Sequence, residues 1–439
     1  MLFKKITFYL LLFTILNCID ASGQKTATQF VKVKGNHFQI GNNPYHFLGA
    51  NFWYGMNLGS TGTGGDRARL LRELDALQKL GIDNLRILAL TEGPDTEPYR
   101  IVPSVQPKPG VFNEELLKGL DYLLVEMGKR KMYAVVCLGD FWHWSGGFGQ
   151  YMVWAGDEKT IPYPPPHENG SWDTYQKWAS QFYSKPKAVQ LYWNAINKVV
   201  TRTNTITKKA YKEDPYIMSW QLGNEPRGLN NQTDFNIWID STAGLIKSLD
   251  PNHLVNVGSE GYTPYKGYAG NDPIKNQDGK NIDYTTAHVW VENWEWYNPK
   301  KHDETFPRTL DSMRAYVKEH VEVASKLGKP LVFEEFGIAR DNGSFEPNST
   351  VKNKDDYYGK FFQEIYQYAQ DNKSPVAGVN FWAWAGEGRP RKPEAFWKPG
   401  DQFIGDPPHE SQGWYSVYNT DTTTFKVIKN YATKMKTIK

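Results

Sequence analysis

Short apolar runs alternate with longer amphipathic stretches along most of this 439-residue chain. The runs have the length of buried strands, and the stretches carry apolar residues at helical spacing, as in Leu70, Leu74, Leu77 and Leu80. Repeated strand–helix units predict a single-domain (β/α)8 barrel, a TIM barrel of the α/β class. The predicted strands are Phe47 to Phe52, Asn84 to Leu88, Met132 to Leu138, Ile217 to Leu222, Leu254 to Val257, Tyr284 to Val289, Leu331 to Phe333 and Val376 to Phe381. The predicted helices are Asp66 to Leu80, Glu114 to Lys129, Lys187 to Tyr211, Phe235 to Leu249, Leu310 to Leu327 and Asp356 to Ala369.

Three long segments follow predicted strands, at residues 139–186, 290–306 and 383–414. In a barrel such segments all lie on the C-terminal face, where active sites form. A short β-hairpin over Val31 to His46, with Gly35 and Gly41 in its turns, is predicted to close the opposite end. The link after the fifth strand is only weakly helical.

Composition narrows the function. The formal net charge is +3, from 51 basic and 48 acidic residues, which is no footprint for nucleic acid or an anionic membrane. Aromatic residues make up 15% of the chain, with 16 tryptophans. Several of them lie in the loop-like segment Phe141 to Gly147. Exposed aromatic faces in loops favour stacking on sugar rings.

Two short sequence motifs each place a carboxylate where a strand is predicted to end. They are Gly223-Asn224-Glu225-Pro226-Arg227 and Phe333-Glu334-Glu335-Phe336-Gly337. Two carboxylates across one cleft are the working groups of a glycosidase, at about 5–5.5 Å for retention and about 6.5–9.5 Å for inversion of configuration. The sequence therefore predicts a glycosidase, with the spacing left open.

Several motifs resemble the clan of retaining (β/α)8 glycosidases that includes glycoside hydrolase family 5. Within it the chain is similar to the endo-β-1,4-mannanases of plants and fungi, from about residue 28 to 435. The motifs are Gly49 to Tyr54, Asn84 to Ile87, Gly146-Gly147 with Gln150-Tyr151, Thr201 to Thr207, Ala210 to Pro215, Asn224-Glu225-Pro226 and Glu335-Phe336-Gly337. The run from Thr201 to Arg227 is the most specific of them.

The resemblance implies roles for the two glutamates and their neighbours. Glu225 is expected to be the acid/base and Glu335 the nucleophile. Because neighbours in a strand point to opposite sides, Glu334 is expected to turn away from the cleft. Asn224 is expected to bind the sugar 2-hydroxyl, and Arg86 to keep the nucleophile ionised.

Further substrate-binding positions follow from the same resemblance. His288 is expected beside the acid/base, and Trp382 as the floor of the −1 subsite. Relatives commonly carry tyrosine where this chain has Trp290, so either Trp290 stacks on the sugar or another hydroxyl replaces the tyrosine contact. Weaker candidates for the cleft are Trp53, Trp142, His143, Trp294 and Trp384.

No metal or other cofactor is predicted. The clusters His409-Glu410 and His302-Asp303-Glu304 lack the spacing of metal ligands, and the predicted chemistry needs no metal.

The first 23 residues have the pattern of an export signal. Lys4 and Lys5 precede an apolar stretch from Ile6 to Leu16 that is too short to span a bilayer, and Ala21-Ser22-Gly23 resembles a cleavage site. A lipoprotein signal that ends before Cys18 is the alternative. Residues 24–439 are expected to form one catalytic domain, exported to the periplasm, the cell surface or the medium.

The sequence thus predicts a secreted retaining endo-β-1,4-mannanase that acts on mannan or glucomannan. Three alternatives stay open. The first is exo action, if the segments 139–186 and 383–414 block one end of the cleft. The second is a β-1,4-glucanase, and the third is a non-catalytic glycan-binding barrel, which the presence of both Glu225 and Glu335 disfavours.

Overall fold

A parallel eight-stranded barrel forms the core of the chain. The computed structural model describes residues 29–156 and 159–438. The barrel strands are β4 (Phe47–Asn51), β5 (Asn84–Leu88), β6 (Tyr133–Cys137), β7 (Ile217–Gln221), β8 (Leu254–Asn256), β9 (Thr285–Val289), β10 (Leu331–Phe336) and β11 (Val376–Phe381). They are numbered after the strands of an N-terminal sheet, β1 (Val31–Lys34), β2 (His37–Ile40) and β3 (Asn43–Pro44). Hydrogen-bonded neighbours run in the order β8-β7-β6-β5-β4-β11-β10-β9, which confirms the predicted TIM barrel.

The seam between β8 and β9 is closed by backbone bonds just outside the strands. Asp283 N donates to Val255 O at 2.8 Å, and His288 N donates to Glu260 O at 3.0 Å. The second bond ties His288 to the segment that follows β8. The first bond closes the seam before β9 begins, and the second closes it near the C-terminal face.

Helices cover the outside of the barrel and part of its C-terminal face. They are α1 (Gly55–Gly59), α2 (Arg67–Lys79), α3 (Glu114–Lys129), α4 (Gly147–Ala155), α5 (Trp172–Ala179), α6 (Pro186–Val200), α7 (Gln232–Leu249), α8 (Lys266–Ala269), α9 (Pro273–Gln277), α10 (His302–Leu327), α11 (Lys352–Ala369) and α12 (Thr422–Lys436). The weakly helical link after β8 contains only the short α8 and α9. Among the described helices, none is both long and apolar enough to cross a membrane.

The N-terminal sheet closes the end of the barrel opposite the catalytic face, as predicted. Its Phe38 packs edge-on against Tyr284, with ring centroids 5.2 Å apart, and lies beside Phe47. These side chains belong to an apolar cluster at the N-terminal ends of the barrel strands. The sheet therefore covers the N-terminal ends of the barrel strands.

Several predicted boundaries were wrong, among them the start of α10, which lies at His302 rather than at Leu310. The sixth helix, α6, ends at Val200 rather than at Tyr211. Beyond it the side chain of Asn204 accepts hydrogen bonds from the backbone of Ile206 and Thr207, which competes with helix formation. Strand β10 runs on to Phe336, so Glu335 lies inside the strand rather than after it.

The long segments on the C-terminal face are partly ordered into helices and strands. The segment after β6 contains α4 and α5, and α10 begins within the segment after β9. The segment after β11 forms β12 (Trp384–Gly386), which pairs with β13 (Val417–Tyr418). The C-terminal helix α12, which the sequence did not predict, packs against α11 and β4.

Candidate active site

Glu225 and Glu335 face each other across the C-terminal mouth of the barrel. Glu225 follows β7, where its backbone N–H donates to Gly258 O at 2.9 Å. Glu335 is carried by β10 on the other side of the mouth. One carboxylate oxygen of each residue lies within 4.8 Å of the other. Both side chains are nearly buried, with 7% and 2% of the residue exposed.

Arg86 on β5 connects the nucleophile candidate to the rest of the site. Its Nη1 donates to Glu335 Oε1 and, at 3.1 Å, to Asn51 Oδ1. Its Nη2 donates to Asn224 Oδ1 at 2.8 Å, and its Nε to Gln221 Oε1 at 2.9 Å. The predicted contact of Arg86 with Glu335 is therefore present, and the same guanidinium orients the Asn224 amide.

Glu334, the neighbour of Glu335 on β10, also lies close to Arg86 and His288. Its Oε2 accepts a hydrogen bond from Gln221 Nε2 at 2.5 Å and lies 3.7 Å from Arg86 Nε. It is 1% exposed and is not among the residues that line the main cavity. Glu334 thus stays out of the cavity, but it shares Arg86 and His288 with Glu335 instead of facing the opposite side of the strand. The pairing of β10 with β9 shifts register at this point, so simple alternation does not hold here.

His288 on β9 lies between the two carboxylates. Its Nδ1 is 2.7 Å from Glu225 Oε1 and 3.3 Å from Glu335 Oε2. Burial lowers the pKa of His288, but the charge of Glu335 and the bond to Glu225 outweigh it and raise the pKa to about 10. Burial raises the pKa of Glu225, yet the bond and charge of His288 and the charge of Arg227 lower it to about 2. The two groups titrate together, and each favours the charged form of the other.

Glu335 has the opposite balance. Burial raises its pKa to about 7, although the charges of His288 and Arg86 oppose the rise. Arg86 thus acts in the predicted direction, and desolvation is the larger effect.

Two indole rings also contact Glu225. Trp142, after β6, donates from Nε1 to Glu225 Oε2 at 2.7 Å. Trp290, just after β9, donates from Nε1 to Glu225 Oε1 at 3.1 Å and packs edge-on against Trp382, with ring centroids 5.9 Å apart. Trp290 therefore contacts the acid/base candidate, where the resemblance implied a tyrosine contact to the nucleophile.

A cavity of about 190 Å³ opens at the two glutamates. Its wall is largely aromatic and includes Trp382, as predicted. A small recess beside it is lined by Trp53 together with Arg86 and Trp382. The residues that line the cavity are Trp142, Trp144, Trp172, Gln176, Asn224, Glu225, Trp290, Asn293, Glu335, Trp382, Pro407, His409 and Glu410.

Three predicted residues lie behind the cavity wall. His143 has no exposed surface and packs against His409, with ring centroids 5.1 Å apart. Trp384 is fully buried and donates to Glu73 Oε2 at 2.9 Å. Trp294 packs against Trp296 and Tyr316. None of the three is among the residues that line the cavity, and His143 packs directly against one of those residues, His409.

Sequence reasoning missed several residues of the site. His409 and Glu410 had attracted attention only as a poor metal motif, yet both line the cavity. The motif that contains Asn224 and Glu225 also contains Arg227, for which the sequence predicts no role. It binds Glu260 through two hydrogen bonds, at 2.6 and 2.8 Å, and lies over the Trp142 ring, 4.9 Å from its centroid.

This arrangement defines a glycoside hydrolase, and comparison with known proteins gives the family. The family described as "GH family 5 beta-mannosidase-like" matches residues 28–439, and the chain belongs to it. A family 5 mannosidase from Rhizomucor miehei is 41% identical, with a TM-score of 0.86 over 94% of this chain and 98% of that one. The same mannosidase has also been solved in complex with mannosyl-fructose. Mannan endo-1,4-β-mannosidase 4 from Solanum lycopersicum is 30% identical, over 82% of this chain and 84% of that protein.

Proposed function

We propose that this glycoside hydrolase cleaves β-1,4-mannosidic bonds in mannan or glucomannan with retention of configuration. The observation that carries the mechanism is the approach of Glu225 and Glu335 to within 4.8 Å, which fits the shorter spacing of retaining enzymes. Its relatives are named as a mannan endo-1,4-β-mannosidase and a family 5 mannosidase, and these names support the substrate class.

In the proposed reaction Glu335 attacks the anomeric carbon while Glu225 protonates the departing glycosidic oxygen. The bond to the leaving sugar breaks, and a glycosyl ester forms on Glu335. Water then attacks the same carbon, its proton passes to Glu225, and Glu335 leaves as a carboxylate. His288 is placed to exchange a proton with Glu225 over their 2.7 Å contact.

Two measurements test this mechanism. Proton NMR of a fresh digest should show the β-anomer first, because retention preserves the configuration of the substrate. A 2-deoxy-2-fluoro mannosyl fluoride should become attached to the peptide that contains Glu335. Initial release of the α-anomer, or a label on a different carboxylate, would refute the assignment.

The curated relatives carry endo-acting names, and we propose endo action as the first candidate. Exo action is a second candidate, favoured by a contact between the long segments after β6 and β11. The ring of His409 stacks on Trp144 with centroids 6.3 Å apart and packs edge-on against Trp172 at 6.1 Å. These rings join the two segments at the cavity wall.

The products distinguish the candidates. Digestion of mannopentaose and mannan by an endo enzyme gives a ladder of mixed oligomannosides, whereas an exo enzyme gives a single short product from the start. Cellulose and xyloglucan serve as controls. Cleavage of these glucans without cleavage of mannan would replace the substrate assignment with a β-1,4-glucanase.

We also propose that the protein is exported. The proposal rests on residues 1–23, which lie outside the described residues. N-terminal sequencing of the mature protein should give Gln24 for signal cleavage, or a blocked Cys18 for a lipid anchor. An unprocessed N-terminus in the native host would contradict export by this signal.

A further inference from the structure

Glu225 is held between two tryptophans that approach from opposite sides of the cavity. Trp142 donates to one carboxylate oxygen, Oε2, at 2.7 Å, and Trp290 donates to the other, Oε1, at 3.1 Å. One ring comes from the segment after β6 and the other from the end of β9. The carboxylate plane is therefore fixed at both oxygens.

The first ring is held from behind by a buried ion pair. Arg227 lies over the ring of Trp142, 4.9 Å from its centroid, a cation–π contact. Glu260 binds Arg227 through both carboxylate oxygens, and Gln176 accepts from its Nη1 at 2.6 Å. Because the guanidinium is locked, the direction of the Trp142 N–H is set by packing.

The second ring is held by aromatic neighbours. Trp290 packs against Trp382 and, with ring centroids 5.2 Å apart, against Tyr415. Tyr415 is itself fixed, since its hydroxyl donates to Asn293 Oδ1 at 2.7 Å. The Trp290 N–H therefore also points in a direction that its surroundings determine.

An indole N–H only donates, so it neither exchanges its own proton nor accepts one from Glu225. Two such donors orient a carboxylate without competing for the proton that it must pass on. We propose that Trp142 and Trp290 form a two-indole clamp, and that this clamp positions Glu225 for both proton transfers of the reaction. The inference rests on the acid/base role of Glu225 proposed above.

A series of aryl β-mannosides tests the clamp. Its members all release a phenol, but they differ in how much that phenol needs to be protonated as it departs. Trp142→Phe and Trp290→Phe keep a ring and remove the N–H. On phenyl β-mannoside we expect kcat/KM to fall about 10- to 100-fold in each variant, the range for one hydrogen bond to a charged group. The leaving group of 2,4-dinitrophenyl β-mannoside departs without protonation. On this substrate kcat/KM should therefore change less than about threefold.

The second step gives an independent readout. With the dinitrophenyl substrate kcat reports attack of water on the glycosyl ester, where Glu225 acts as base, so kcat should fall about tenfold or more. Lost stacking on the aglycone would leave this kcat unchanged. Trp193→Phe is the matched control, because that indole donates to Thr242 Oγ1 at 2.9 Å between α6 and α7 and should leave all these constants unchanged.

Equal losses across the aryl series, or an unchanged kcat on the dinitrophenyl substrate, would overturn the clamp. If a phenylalanine variant does not fold, site-specific benzothienylalanine keeps the shape of tryptophan without its N–H and should reproduce the pattern. Glu225→Ala separates the two proposals. If Glu225→Ala loses much more activity on the phenyl than on the dinitrophenyl substrate and the tryptophan variants do not, only the clamp fails. If Glu225→Ala also loses the same activity on both substrates, the acid/base assignment fails.

Discussion

Substitution of Arg86 by lysine should reduce catalysis while the charge beside Glu335 is kept. Arg86 uses three nitrogens, on Glu335, Asn224 and Gln221 as well as Asn51. A lysine donates from a single atom, so it can retain the Glu335 contact but not those at Asn224 and Gln221. Each lost bond from a charged donor contributes at least about 1.5 kcal/mol. Together they amount to about 3 kcal/mol.

We expect part of this free energy to act in the transition state, because the family resemblance implies that Asn224 binds the 2-hydroxyl, whose bond strengthens there. If half of it does, kcat/KM falls about 10-fold, and if all of it does, about 150-fold. The assay is kcat/KM on mannotriose and on an aryl β-mannoside, with thermal unfolding to confirm a folded variant. Arg72→Lys is the matched control, since Arg72 also binds a carboxylate, Glu387, through a fork but lies exposed on α2.

A folded Arg86→Lys enzyme within about threefold of the wild type would refute this reasoning. It would mean that the fork geometry of the guanidinium does not matter and that charge alone supports Glu335. A loss of equal size in Arg72→Lys would instead point to a general effect of the substitution.

Four further substitutions test other parts of the structure. Asp121→Ala removes the buried carboxylate that binds Arg202 and leaves it the half-exposed Glu114 at 3.0 Å, so we expect a loss of about 3–5 kcal/mol. With an unfolding entropy of about 0.86 kcal/mol/K for roughly 410 ordered residues, Tm should fall by about 4–6 °C, while the folded variant keeps its kcat. His288→Gln should be less stable than the wild type by an amount that is full below pH 6.5 and disappears as the pH rises through about 10, because the folded pKa of His288 is raised. Urea unfolding from pH 6 to pH 10 measures this difference, and a gap that widens with pH would contradict it. Glu334→Gln should keep more than about a tenth of kcat/KM, whereas Glu335→Gln should lose on the order of 10³-fold or more. Similar losses in the two variants would leave the nucleophile unassigned.

The barrel could be predicted because its signals are local. A buried strand and an amphipathic helix each show their period within a few residues, and α3 begins and ends where the sequence predicts. The error at the end of α6 has a longer range. There Arg202 and Thr205 bind Asp121 on α3, 81 and 84 positions away, so the chain leaves the helix to make contacts that no local pattern contains. The run that most clearly carried the family resemblance thus joins α3 to the approach to β7.

The catalytic pair could be predicted for the same reason as the strands. Glu225 and Glu335 occupy strand ends, and a barrel brings strand ends together. The wall formed by His409 and Glu410 could not be predicted, because it depends on where a long segment folds back after β11. Nothing in the spacing of that segment indicates that His409 would pack against Trp144 and His143 from the segment after β6.

Trp290 shows that a different residue at one position of the family motif can contact a different catalytic candidate. Its place after β9 follows from the sequence, and the resemblance implied a hydroxyl there for the nucleophile. The indole instead reaches Glu225, and Glu335 is left with Arg86 as donor and His288 Nδ1 at 3.3 Å among the described residues. With fewer hydrogen-bond donors, the ionised form of a buried carboxyl is less stabilised against desolvation. This agrees with the raised pKa of Glu335. The added indole donor on Glu225 favours the ionised form of that carboxyl, so the two carboxyls differ in the donors that surround them.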